Sequence, residues 1–123
     1  MIIGFGNDIQ SLDAIADFST KETYLKRILT PKELEQLATR QKGTKRYIQF
    51  IAGRFSAKEA YAKAKGFGIG EHAHWQEIEI LNDNVGKPIL TVIGESKIDG
   101  ATNYLVAISH SDNYVLTNVI VEK

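Results

Sequence analysis

Glu59 and Lys63 stand four residues apart in R-F-S-A-K-E-A-Y-A-K-A-K-G-F-G-I-G, positions 54–70. At that spacing the acid and the base share one face of a helix. A carboxylate can hold a hard cation, while lysine, Arg54 and the glycines Gly66, Gly68 and Gly70 suit phosphate. The same pair also reads as an ordinary helix ion pair, worth about 0.2–0.5 kcal/mol. Ser56, Ala57, Ala60, Ala62 and Ala64 surround the charges, and such small residues let a ligand or a second chain come close. The glycine loop is no Walker or dinucleotide fingerprint, because it follows a helix instead of preceding one.

Three other places carry polar chemistry. Asp8 follows Gly4-Phe5-Gly6-Asn7 at the expected end of an apolar strand, where it could bind a metal or cap the next helix. Ser109-His110-Ser111 lies between two strand patterns and could bind a phosphate or carboxylate, or simply form a polar hairpin turn. His72 and His74 lack an evident third metal ligand and read as surface residues.

The elements that must position these groups follow from periodicity. Ile2–Ile9 reads as a strand. Ser11 can cap a short helix bearing Leu12, Ile15, Ala16 and Phe18, and Thr20 can cap a second bearing Tyr24, Leu25, Ile28 and Leu29. Thr30-Pro31-Lys32-Glu33 is a capping box with proline at the first helical position, opening a helix to about Thr39. A long helix is expected from Thr44 to Lys65, stopped by a left-handed Gly66. Trp75–Leu81, Lys87–Ile93, Tyr104–Ser109 and Tyr114–Val121 read as strands, the last three suiting an antiparallel sheet. One strand, several helices and then a run of strands make an α+β fold, expected as a single domain over residues 1–123.

Composition narrows the function. There is no cysteine, so disulfides, thiolate metal sites and thiol nucleophiles are excluded. The opening M-I-I-G-F-G-N-D lacks the basic flank and apolar run of a secretory signal, and no stretch nears the roughly 20 apolar residues of a membrane span. A cytoplasmic location without membrane contact is expected. The zero net charge conceals an asymmetry: residues 21–65 hold 12 Lys or Arg against 4 Asp or Glu. That basic segment suits an anionic ligand or an acidic protein. Nucleic-acid binding, with Tyr47, Phe50, Phe55 and Tyr61 as aromatic partners, is the competing reading, although those aromatics also fit a buried helix stripe.

Taken in order, these blocks resemble the holo-acyl-carrier-protein synthases, small bacterial 4′-phosphopantetheinyl transferases. The match spans nearly the whole chain: G-x-D-I at Gly6–Ile9, I-L-T-x-x-E-L at Ile28–Leu34, A-G-R-F-x-A-K-E-A at Ala52–Ala60, K-A-x-G-x-G-I-G at Lys63–Gly70, I-E-I at Ile78–Ile80, G-K-P at Gly86–Pro88 and I-S-H-S at Ile108–Ser111. The resemblance implies transfer of the phosphopantetheine arm of coenzyme A to a serine of acyl carrier protein in fatty acid biosynthesis, releasing adenosine 3′,5′-bisphosphate. It implies magnesium on Asp8 and Glu59, Lys63 on the phosphates, and a serine proton passed to Glu59 directly or through a water. It further implies Arg54, His110 and Ser111 as groups for the adenosine phosphates, with Gly66, Gly68 and Pro88 shaping the nucleotide pocket. Family members are homotrimers with active sites between subunits, and bind no nucleic acid. One departure concerns the carrier. The family's first helix is basic, whereas here it reads Q-S-L-D-A-I-A-D-F, with Asp13 and Asp17 and no Lys or Arg. Docking is therefore expected at Lys21, Lys26 and Arg27, or at Arg40, Lys42, Lys45 and Arg46. A scaffold that binds coenzyme A or carrier without transfer is the remaining alternative.

Overall fold

The computed structural model describes residues 1–70 and 73–123. The elements run β1 (Ile2–Ser11), α1 (Leu12–Phe18), α2 (Glu22–Ile28), α3 (Pro31–Leu37), α4 (Lys45–Lys65), β2 (Ile78–Asn82), β3 (Pro88–Val92), β4 (Asn103–His110) and β5 (Tyr114–Glu122), with 3₁₀ turns at Trp75–Glu77 and Gly94–Ser96. The α+β architecture is the expected one. No helix among the described residues is long and apolar enough to cross a membrane.

The helix ends follow local chemistry. Ser11 Oγ accepts from the Ala14 amide, so the cap of α1 is Ser11 and Asp8 is left free for other work. Thr30 and Glu33 form the capping box of α3. Thr44 caps α4, and Gly66 at φ 104° ends it, with the Gly66 and Phe67 amides both reaching the Ala62 carbonyl. Thr20 does not cap α2: Lys21 occupies that position without a side-chain bond. The third helix stops at Leu37, two residues before the expected Thr39.

Two antiparallel sheets replace the single terminal sheet expected from the last three strands. One has the order β1-β5-β4 and the other pairs β2 with β3. The first strand inserts beside β5, with Asp8 opposite Thr117 and Asn7 opposite Asn118, so β3 is left to its own hairpin. The first strand also extends to Ser11, which places Asp8 within it rather than at its end. Trp75–Glu77, read as strand, is a 3₁₀ turn feeding β2.

The outer edge of β2 is closed by side chains instead of a strand. Glu33 accepts from the Ile80 amide (2.8 Å), Arg54 Nε donates to the Ile80 carbonyl (3.1 Å), and the Gln36 amide bonds both the N–H and the C=O of Asn82 (2.9 Å each). An edge strand needs such cover or it recruits another chain.

Helix α4 lies across the inner face of the three-stranded sheet and between two apolar clusters. Phe50, Ile51 and Ala52 pack with Leu12, Ile15, Leu25, Ile28, Leu29 and Val115. Ala57, Ala60 and Tyr61 pack with Ile78, Ile80, Leu90, Val119 and Val121. Tyr47, Phe50 and Tyr61 are buried and Phe55 is half-buried, which removes them as a nucleic-acid stacking platform. The small residues of α4 are likewise inward: Ala57, Ala60 and Ala62 are fully buried in the chain's own fold, so a second chain does not account for them.

Candidate active site

The decisive local packing is that of Gly6 on α4. A Cβ built on Gly6 would collide with the Ala60 carbonyl oxygen and stand 2.7 Å from the Ala64 amide nitrogen. Only glycine allows β1 to approach the helix backbone this closely. Asp8, two residues on, then projects from the same face of the strand toward the same helix. Gly6→Ala is accordingly expected to cost about 1–3 kcal/mol or more and to impair catalysis by displacing Asp8. Gly68→Ala, where a Cβ meets nothing within 4 Å, is expected to leave the thermal midpoint unchanged. Paired unfolding and activity measurements on the two variants check this.

Asp8, Glu59 and Lys63 converge. The Asp8 carboxylate is 8% exposed, accepting from Lys63 Nζ at 3.1 Å and from Gln10 Nε2 at 2.7 Å. Lys63 thus pairs with Asp8, and among the described residues no Glu59–Lys63 bridge forms. The sequence offered the i,i+4 pair; the close docking of β1 supplied a better-placed carboxylate. Glu59 is half-buried, and its carboxyl is pushed above the usual range, first by burial and then by the Asp8 charge, with Lys63 opposing. Gln10, which orients Asp8, has no signal in the sequence beyond lying on the same strand face.

Two like charges held close in partial burial are costly unless a cation joins them. This donor set fits a divalent cation of the magnesium type, which takes one or two protein carboxylates and fills its remaining positions with water and phosphate oxygens. No group of three or more potential ligands occurs among the described residues. His72 lies outside the described residues, and half-exposed His74 sits near Glu95 at 3.9 Å.

Arg54, His110 and Pro88 meet elsewhere, in a separate pocket of about 230 Å³ that also gathers Arg40, Arg46 and Asn82. Arg54 is 4% exposed, its Nη2 donating to Asn82 Oδ1 at 2.8 Å and its guanidinium lying 3.8 Å from the Phe50 ring centroid. Burial lowers its pKa to about 10, with Glu33 opposing and Arg40 reinforcing, so it remains a cation at neutral pH. Arg40 lies 4.3 Å from the same ring centroid. Burial and then Arg54 hold His110 below the ordinary imidazole value, so it meets a ligand neutral, as a donor or acceptor. Two guanidiniums on one aromatic ring beside Arg46 make this pocket strongly cationic. Arg40 and Arg46, expected as carrier contacts, belong to this pocket; their sequence distance from Arg54 concealed it.

Ser111 is less available. Its Oγ accepts from the Tyr114 amide at 3.0 Å and the Asn113 amide at 3.3 Å, the polar turn that the sequence also allowed. Gly66 and Gly68 follow Lys63 at the C-terminal end of α4, with open space above both. None of Asp8, Glu59 and Lys63 lines the arginine pocket, so the two groups of residues stand apart within one chain.

Comparison with known proteins decides the family. The model of the 4′-phosphopantetheinyl transferase superfamily matches residues 4–119. The chain belongs to that superfamily. It is an enzyme of the holo-[acyl-carrier-protein] synthase type: it is 48% identical over its full length to the synthase of Leuconostoc citreum, covering 87% of that protein, and 48% identical to that of Ligilactobacillus salivarius, covering 89%. Among solved structures, the Bacillus anthracis synthase in complex with coenzyme A (3′,5′-ADP) superposes with a TM-score of 0.85 at 36% identity, over 98% of this chain and 96% of that one. The Helicobacter pylori synthase in complex with coenzyme A gives a TM-score of 0.82 at 28% identity, over 96% and 99%.

Proposed function

We propose that this chain transfers the 4′-phosphopantetheine group of coenzyme A to a serine hydroxyl of apo-acyl carrier protein, with magnesium, in the cytoplasm and for fatty acid biosynthesis. The observation that carries the reading is the convergence of Asp8, Glu59 and Lys63 from distant parts of the chain in a member of this superfamily. Asp8 and Glu59 hold the cation. When bound, it neutralises pyrophosphate charge and favours in-line displacement at the β-phosphorus. Lys63, more than half exposed and already turned toward Asp8, stabilises the charge that grows on the phosphates. Glu59, with its raised proton affinity, receives the serine proton directly or through one water. The serine oxygen bonds the β-phosphorus as the bond to the bridging oxygen breaks, and adenosine 3′,5′-bisphosphate leaves.

Arg54 and His110 take the adenosine phosphates, with Ser111 at the margin, and Pro88, Gly66 and Gly68 shape the nucleotide pocket. The division into two half-sites supports active sites between subunits of a homotrimer, each joining the carboxylates of one protomer to the arginines of the next. The outer face of the three-stranded sheet supports the same assembly, since Phe5, Ile9, Leu105 and Leu116 are each more than 40% exposed there. Carrier docking falls on α2, where exposed Tyr24 carries Lys21 at 5.5 Å and Arg27 at 5.6 Å from its ring.

Incubation with coenzyme A, magnesium and apo-carrier is expected to add one phosphopantetheine mass to the carrier. No added mass across several carriers refutes the transfer. Charge reversal at Lys26 and Arg27 is expected to raise KM for carrier about tenfold or more, as loss of a complementary charged contact does, with KM for coenzyme A unchanged. An unchanged carrier KM removes this docking face.

A further inference from the structure

A second cavity lies between α2, α3 and the start of α4, sharing Arg40 with the arginine pocket. It has a volume of about 330 Å³. Its floor is apolar: Leu25, Leu37 and Tyr47 are buried and Leu34 is half-buried. Its rim carries three cations, Lys26, Arg40 and Lys42, against one carboxylate among the described residues, Glu22.

Tyr47 is the telling residue. It is 6% exposed and lines this cavity, yet its hydroxyl has no hydrogen-bond partner among the described residues. Since no buried side-chain polar atom among the described residues lacks a partner, this hydroxyl opens into the cavity, where it is free to meet a ligand. Burial, and then Glu22, raise its pKa, so the hydroxyl keeps its proton and acts as a donor. A donor on an apolar floor beneath three cations is the complement of a carboxylate with a hydrocarbon tail. The volume stands at the low end for small-molecule pockets. It admits an unbranched chain more readily than a helix about 10–12 Å across.

Arg40 gives the cavity a consequence. It lines both this cavity and the arginine pocket, where its guanidinium stacks near Phe50. We propose that the α2–α3–α4 cavity binds an anionic amphiphile, a medium-chain carboxylate, with Tyr47 and the lysine rim on the head group and the leucines on the tail, and that its occupant weakens anion binding in the neighbouring pocket by engaging Arg40. The second half rests on the reading of that pocket as the coenzyme A phosphate site; the first does not.

The test is calorimetric titration of the whole chain with sodium decanoate below its micelle concentration. One saturable site per chain is expected, with affinity falling about fourfold for each methylene removed down to hexanoate. Tyr47→Phe is expected to weaken binding about tenfold or more. Ala38→Trp, at an exposed position lining the cavity, is expected to abolish binding without moving the thermal midpoint. No saturable binding, binding indifferent to Ala38→Trp, or decanol binding as tightly as decanoate overturns the site. So does capture of an acidic amphipathic peptide with no binding of decanoate. Saturating decanoate is expected to raise the Kd for coenzyme A at least threefold, and an unchanged Kd overturns the coupling. Failure to bind coenzyme A at all would instead refute the function proposed above while leaving decanoate binding as the test of the cavity.

Discussion

Asp8→Asn and Glu59→Gln are each expected to lower kcat/KM for phosphopantetheine transfer about a thousandfold while leaving the fold intact. Electrostatic support of a transferring phosphoryl group by a carboxylate-held cation is worth several kcal/mol, and about 4 kcal/mol is a factor of roughly a thousand. Stability should barely move. Asp8→Asn gives up an ion pair whose lysine is more than half exposed, a contact worth about 0–1 kcal/mol. It also removes the Asp8 repulsion that adds to burial in raising the Glu59 pKa. The two substitutions act on one unit, so the double variant should lose little more than either single one. Magnesium titration separates binding from chemistry: each variant should need more cation for its half-maximal rate. Near-normal turnover in either variant would remove the assignment of the cation to these carboxylates.

Lys58→Met is expected to cost about 3–5 kcal/mol, the usual price of stranding one member of a buried ion pair. Lys58 and Glu33 have fully buried side chains, 2.7 Å apart. Lys58 Nζ also donates to the carbonyls of Ile28 at 2.6 Å and Trp75 at 3.0 Å. Glu33 accepts from the amides of Thr30 and Ile80, both at 2.8 Å. Burial pulls the lysine pKa down and Glu33 holds it up. The pair is therefore fully bonded and ties the end of α2, the start of α3, α4 and β2 into one frame around the residue preceding Glu59. Methionine matches the length of lysine but leaves Glu33 charged and two carbonyls unmet. The thermal midpoint should fall by roughly 10–20 °C. Adding Glu33→Gln should recover part of the loss by removing the stranded charge. An unchanged midpoint for Lys58→Met would show that the pair contributes nothing net.

The sequence was legible where the chemistry is local. The Thr30–Glu33 capping box, the Ser11 cap and the left-handed Gly66 each depend on a few neighbouring residues, and each is found in place. Strand pairing was less legible, because β1 reaches β5 across nearly the whole chain and nothing in its own residues names that partner. Glu33 shows the same divide within one side chain. Its capping role was visible from Thr30, whereas its bonds to Lys58 and Ile80 needed α4 and β2 in place.

By itself the sequence determined the residue types and their order: the Asp8, Glu59 and Lys63 set, the helical phase of α4, and the family resemblance carried by motifs spread along the chain. Only the tertiary structure decided the partners. It gave Lys63 to Asp8 because Gly6 lets β1 lie against the α4 backbone. It moved Arg40 and Arg46 into the pocket of Arg54, and buried the alanines that had suggested an open face. Helix phase and capping are settled within a turn or two, whereas a long-range partner depends on which backbones can approach without a Cβ between them.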